Sequence, residues 1–170
     1  MAVSVKKITL WRREIQDRPG ALAEVLAPLA DAGASLQVVM GYRYPEPSGH
    51  AAVELAPVTG SKATAAAQRA GLAPAGIGAL LVQGDDRPGL GRSLSDALGA
   101  AGINLHFLIA LVEGRRYAAV FGFGSEENSA RAVPIIKKAA AARPAGRVPA
   151  GRKAARKRGA ARRGKGSKRR

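Results

Sequence analysis

Hydrophobic positions in this chain recur at two periods, and the switch between them outlines the fold. Leu22, Val25, Leu26 and Leu29 fall at i, i+3, i+4 and i+7, the spacing that lines one face of a helix. Leu90, Leu94, Ala97, Leu98 and Ala101 form a second such stripe. Each stripe ends at a glycine, Gly33 or Gly102, placed as a helix C-terminal cap. Beyond each glycine the period shortens to two. Leu36, Val38 and Met40 alternate with Ser35, Gln37 and Val39, and Leu105, Phe107 and Ile109 alternate with Asn104, His106 and Leu108. The alternation predicts strands whose polar members point away from a helix-covered core.

The whole order occurs twice. Residues 17–36, DRPGALAEVLAPLADAGASL, and residues 86–105, DRPGLGRSLSDALGAAGINL, align without insertion at an offset of 69. Extended segments at 5–15 and 78–84 lead into the two turns, third strands are predicted at 50–57 and 115–123, and second helices at 61–70 and 125–141. Ser125, followed by Glu126 and Glu127, is a good start for the last helix. Pro134 inside it predicts a kink or a restart, because an interior proline costs about 3 kcal/mol.

Each copy therefore reads β-α-β-β-α, an α+β unit in ferredoxin-like order with antiparallel strands and helices on one face. Neither residues 71–77 nor those after 142 read as a closing strand, so the first-strand edges are expected to pair between copies. The chain divides into one unit at 1–73, a second at 74–142 and a tail at 143–170.

Composition narrows the picture. Of 170 residues 46% are hydrophobic but only 4% aromatic, so burial has to come from Ala, Leu, Val and Ile. The lack of cysteine excludes disulfides, thiolate metal ligands and cysteine nucleophiles. No run approaches eighteen apolar residues, and MAVSVKKITLWRREI has no uninterrupted apolar stretch. A cytoplasmic protein without a membrane span is expected.

The formal charge of +16 is concentrated at one end, with +3 on residues 1–142 and +13 on residues 143–170. That tail carries Arg152, Lys153, Arg156, Lys157, Arg158, Arg162, Arg163, Lys165, Lys168, Arg169 and Arg170, with no acid and no aromatic residue. Broken by Gly and Pro, it is expected to be disordered alone. It resembles the Ala/Lys/Arg-rich tails of histone-like proteins. Such density neutralises phosphates, so DNA or RNA is the expected tail partner, bound without base specificity. The alternative is a solubilising tail or an anchor to acidic proteins or anionic lipids.

The repeated turn has chemistry of its own. A helix N-terminus leaves N–H groups unpaired and carries partial positive charge, which suits a carboxylate or phosphate. Gly20 and Gly89 leave the approach open, so that a ligand could reach the amides of Gly20 and Ala21, or of Gly89 and Leu90. The upstream carboxylate, Asp17 or Asp86, suits an ammonium group. Together these groups describe a receptor for an α-amino acid or similar zwitterion. The purely structural alternative is that Asp17 and Asp86 cap their helices and Asn104 satisfies a turn.

A strand, DRPG, a helix, Gly33 or Gly102 and a second strand, found twice, resemble the ACT domain, a ligand-sensing module often present in pairs. The resemblance covers residues 5–72 and 78–141. It implies a non-enzymatic regulatory protein without a cofactor, assembled as a dimer. It also implies amino-acid binding at a unit–unit interface through the loop Asp and the polar residue opening the next strand: Asp17, Asp86, Ser35 and Asn104. Where some ACT sites place a histidine two residues before the loop Asp, this chain has Ile15 and Gly84. The alternative function is nucleic-acid association through the tail, with the paired units as a scaffold.

Other chemistry finds less support. His50 and His106 lack partners at metal-ligand spacing, and no metal site is expected. Neither a G-x-S-x-G elbow nor a phosphate-binding glycine fingerprint occurs. Arg87 and Asn104 could be cast as a phosphate cradle, yet the first copy would pair Arg18 with Ser35.

Overall fold

The computed structural model describes residues 3–45 and 49–142. The basic tail and residues 46–48 lie outside the described residues. The elements are β1 (Ser4–Ile8), β2 (Trp11–Gln16), α1 (Ala21–Asp31), β3 (Val38–Arg43), β4 (His50–Ala56) and α2 (Ser61–Arg69). They continue with β5 (Ala73–Pro74), β6 (Gly78–Asp85), α3 (Leu90–Ala100), β7 (Leu105–Glu113), β8 (Arg116–Phe123) and α4 (Glu126–Ala141). Two four-stranded antiparallel sheets result, ordered β3-β4-β2-β5 and β1-β6-β8-β7. The fold is the expected pair of ferredoxin-like, ACT-type α+β units.

The expected pairing of first-strand edges between copies occurs through half of the first lead-in segment. The lead-in segment splits in two: β2 stays in the first sheet, whereas β1 crosses to the second and pairs with β6 from Ser4↔Gln83 to Ile8↔Ala79. Ser4–Ile8, within the expected 1–73 unit, thus complete the other unit's sheet. In the first sheet the fourth position is taken by β5, whose two residues pair with Trp11 and Arg12 of β2. An open backbone edge leaves N–H and C=O groups unpaired; β1 covers that of β6 from Ala79 to Gln83, and β5 covers the start of β2.

Three apolar clusters show how the layers stack. Trp11, Val25, Leu29, Val53, Leu55, Ala67 and Leu72 join α1 and α2 to the first sheet. Leu80, Val82, Leu90, Leu94, Leu98, Phe121, Phe123 and Ile136 join α3 and α4 to the second. The third cluster, with Leu10, Val38, Met40, Ala56, Ala79, Leu81 and Val120, draws on both sheets. The two sheets therefore pack by the faces that carry no helices. β6 alternates accordingly, sending Leu80 and Val82 to the helices and Ala79 and Leu81 to the other sheet, which explains its continuous apolar run.

This stacking corrects the expected strand faces. Leu36 and Leu105 pack against the helix-covered cores, but Val38, Met40 and Phe107 belong to the sheet–sheet layer. In the second copy the cause is a bulge between Leu105 and Phe107, with Leu105 opposite Phe123 and Phe107 opposite Gly122. The extra residue, His106, reverses the side on which Phe107 emerges. The Phe107 ring then covers Gly122, where an added Cβ would lie 2.3 Å from Cε1.

The last helix runs unbroken through Pro134 rather than restarting. Pro134 and Ala130, whose carbonyl loses its partner, both lie on the exposed side, where water can take the lost bond. Ser125 caps the helix, its Oγ accepting from the Asn128 amide at 3.1 Å. Among the described residues no helix is long and apolar enough to cross a membrane.

Candidate functional site

The two DRPG turns have the same backbone and different surroundings. Gly20 and Gly89 are the N-caps of α1 and α3, with φ of 85° and 80°, and neither helix has a side-chain cap. The aspartates therefore do not serve as caps. The left-handed φ explains glycine here, since a Cβ would be strained there. Two amides offered to a ligand by the sequence are already engaged. Ala21 N–H donates to the Arg18 carbonyl at 3.2 Å, and Leu90 N–H to that of Arg87 at 3.1 Å.

In the first copy the turn borders a cavity of about 280 Å³. Asp17, Ala21 and Leu22 line it from the turn and α1, and Gly41, Arg43 and Ala51 from β3 and β4. Leu22, counted with the core stripe in the sequence, is 41% exposed and serves as a wall. The Asp17 carboxylate accepts from Arg43 Nε at 2.6 Å. Arg18, which lines the cavity too, pairs with Glu24, also at 2.6 Å. The site thus holds a carboxylate, a guanidinium and a helix N-terminus around an apolar floor. Ser35, carried over as a contact, is exposed and lies outside this lining.

The second turn is more occupied. The Arg87 guanidinium donates to the carbonyls of Ala139, Ala140 and Ala142 at the end of α4. A phosphate cradle built on Arg87 is therefore not available. Asp86 N–H donates to the Arg115 carbonyl at 2.7 Å, and Leu90 is buried in the helix core. Below the turn, burial and then the Asp86 charge raise the Tyr117 phenol above its usual value. Asn104 and Gly89 remain exposed. His50 and His106 belong to different sheets.

Sequence reasoning missed Arg43, which no local motif ties to Asp17. It also missed a polar group between the sheets, Arg12, Tyr42 and Glu54. Its one sequence signal was a single carboxylate within the apolar strand HAAVELA.

No protein-family model matches the chain, and no curated protein matches it. Solved structures do. A protein from Bacteroides thetaiotaomicron superposes with a TM-score of 0.62 at 16% identity, covering 80% of this chain and 89% of that one. The regulatory subunit of aspartate kinase from Thermus thermophilus, in a ligand-free form, gives 0.55 at 18% identity over 82% and 97% of the chains. The same subunit from Thermus flavus gives 0.52 at 16% identity over 82% and 97%. At these identities the likeness is one of fold.

Proposed function

We propose that this chain is a non-enzymatic regulatory protein that holds an α-amino acid or similar zwitterion at the first DRPG turn. The observation that carries the reading is the Asp17–Arg43 pair at 2.6 Å beside the cavity. An α-amino acid presents both complements on one carbon: its ammonium suits Asp17, and its carboxylate suits Arg43 and the start of α1. Binding then exchanges one partly exposed ion pair for two charge-assisted contacts. The fold shared with regulatory subunits of aspartate kinase agrees with a regulatory role. In the second copy the corresponding residues are Asp86, Gly89 and Asn104, beside a turn whose Arg87 is tied to the end of α4.

The test is a thermal-shift screen of the full chain against the twenty amino acids. Ligand at one hundred times its dissociation constant stabilises by about 2.7 kcal/mol. The reading expects one or two amino acids to act, the effect to vanish in Asp17→Asn and Arg43→Ala, and Asn104→Ala to matter less. No stabilisation by any amino acid overturns it.

The chain is further proposed to form a homodimer, supported by β7. This strand ends its sheet with Leu108, Ile109, Leu111 and Val112 exposed, Leu111 at 65%. A long apolar edge of this kind calls for cover. The tail supports a second reading, attachment to DNA or RNA, on its charge alone. Loss of DNA retention at low salt on truncation after Ala142 is the expected result, and unchanged retention refutes it.

A further inference from the structure

We propose a second ligand site, between the two sheets, that takes a small organic cation: a primary ammonium carried on an apolar body. The cavity, about 320 Å³, is lined by Met40, Tyr42 and Glu54 of the first sheet and His106, Phe107 and Ile109 of the second. Its position follows from the strand register. Met40 stands opposite Glu54 across β3 and β4, and the bulge at His106 turns Phe107 and, two residues on, Ile109 towards that layer.

The chemistry centres on Glu54, which is 3% exposed. Its Oε1 accepts from the Tyr42 hydroxyl at 2.8 Å and forms an ion pair with Arg12 Nε at 3.6 Å. Its Oε2 is buried and has no partner among the described residues. A buried carboxylate oxygen without a donor is costly, and a ligand donor removes the cost. Arg12 does not supply it: its Nε, also buried and without a hydrogen-bond partner among the described residues, stands beyond hydrogen-bond distance on the Oε1 side, and its Nη2 is directed to Glu14 at 3.0 Å and to the Tyr44 hydroxyl. Burial and the bond to Glu54 raise the Tyr42 phenol above its usual range. The Tyr42 proton is thus committed to Glu54, and its oxygen is left as an acceptor.

Glu54 and Tyr42 therefore offer acceptors to a guest, while Met40, Phe107 and Ile109 provide an apolar wall, including an aromatic ring. A guest that fits brings donors and positive charge at one end and hydrocarbon at the other; its cation gains further from the ring face. A carboxylate on the guest would meet Glu54 and be repelled. This separates the site from the zwitterion site at Asp17. Since the cavity takes three residues from each sheet, occupancy ties the two units together.

The experiment is isothermal titration calorimetry of the full chain with 2-phenylethylammonium and n-butylammonium chloride, and with 3-phenylpropionate as the anionic counterpart. Saturable binding of at least one amine is expected, with no binding of the anion. Glu54→Gln, which keeps shape and the Tyr42 bond, should weaken the amine tenfold or more. His106→Trp, filling the rim from an exposed position, should do the same, whereas Asp17→Asn should leave it unchanged. Absence of binding by both amines overturns the proposal. So does equal affinity in Glu54→Gln and His106→Trp, or loss in Asp17→Asn, which would assign the heat to the first turn.

Discussion

Arg87 Nη2 donates to the Ala142 carbonyl at 2.9 Å, closing the end of α4 from the turn before α3. The last carbonyls of a helix lack intrahelical partners and carry partial negative charge. A guanidinium reaching three of them cross-links α4 to the turn before α3.

Arg87→Ala is therefore expected to lower stability by about 1–3 kcal/mol, the usual range for hydrogen bonds to a charged group. Arg18→Ala, at the matching position, breaks only an exposed pair with Glu24 and should cost less than about 1 kcal/mol. Urea denaturation of both variants checks the contrast; equal losses would show that the Arg87 contacts contribute nothing.

Tyr117 is 4% exposed and its hydroxyl has no partner among the described residues. Tyr117→Phe is expected to stabilise the fold by about 1 kcal/mol, since a buried unpaired hydroxyl costs about 1–3 kcal/mol. The phenol also gives a pH signature. Its pKa is raised in the folded state above the ordinary 10.0, so the folded state keeps the proton longer than the unfolded chain. That contribution is complete below pH 10 and is lost as the pH rises through the folded value. Tyr117→Phe should flatten the alkaline fall in melting temperature; an unchanged slope would contradict it.

The exposed edge of β7 predicts the assembly state. Leu111→Glu should convert the dimer to a monomer in sedimentation equilibrium, while Val39→Glu, on the other sheet's edge strand, should not. A wild-type monomer at micromolar concentration would remove the dimer altogether.

Much of this fold was legible because its signals are local. The helical stripes, the glycines after them and the third strands all fell within a residue or two of α1, α3, β4 and β8. The destination of β1 was not, because Val5 and Ile8 say only that the segment is extended; their partners, Val82 and Ala79, lie over seventy residues away. His106 read as one more alternating position, and a bulge has no composition of its own. At the site, Asp17 stood out by its motif, but Arg43 became relevant only when β3 brought it across the turn. The repeat also suggested equal sites, and could not show that Arg87 is tied to α4 while Arg18 stays on the surface.

Packing of β1 supplies another test. A Cβ at Gly84 would stand 2.8 Å from Val3 Cγ1 and 3.1 Å from its Cα. Gly84→Val should dislodge the start of β1, and removal of residues 1–8 should cost about 3 kcal/mol or more through lost burial of Val3, Val5 and Ile8. Hydrogen exchange at residues 79–83 reports the loss directly; unaltered protection there would show that β6 does not depend on β1.

The crossing at Thr9 and Leu10 has a consequence for biosynthesis. β1 leaves the ribosome before β6 and stays unpaired until β6 has followed it, long after the strands and helices between them are complete. The two units then close in one event, because Leu10 is sealed between the sheets when β1 docks. A nascent chain halted between them presents an unsatisfied strand, the kind of segment that chaperones shield and neighbouring chains capture. Cleavage near residue 73 would not yield two independent halves, since the second half would leave its edge strand behind.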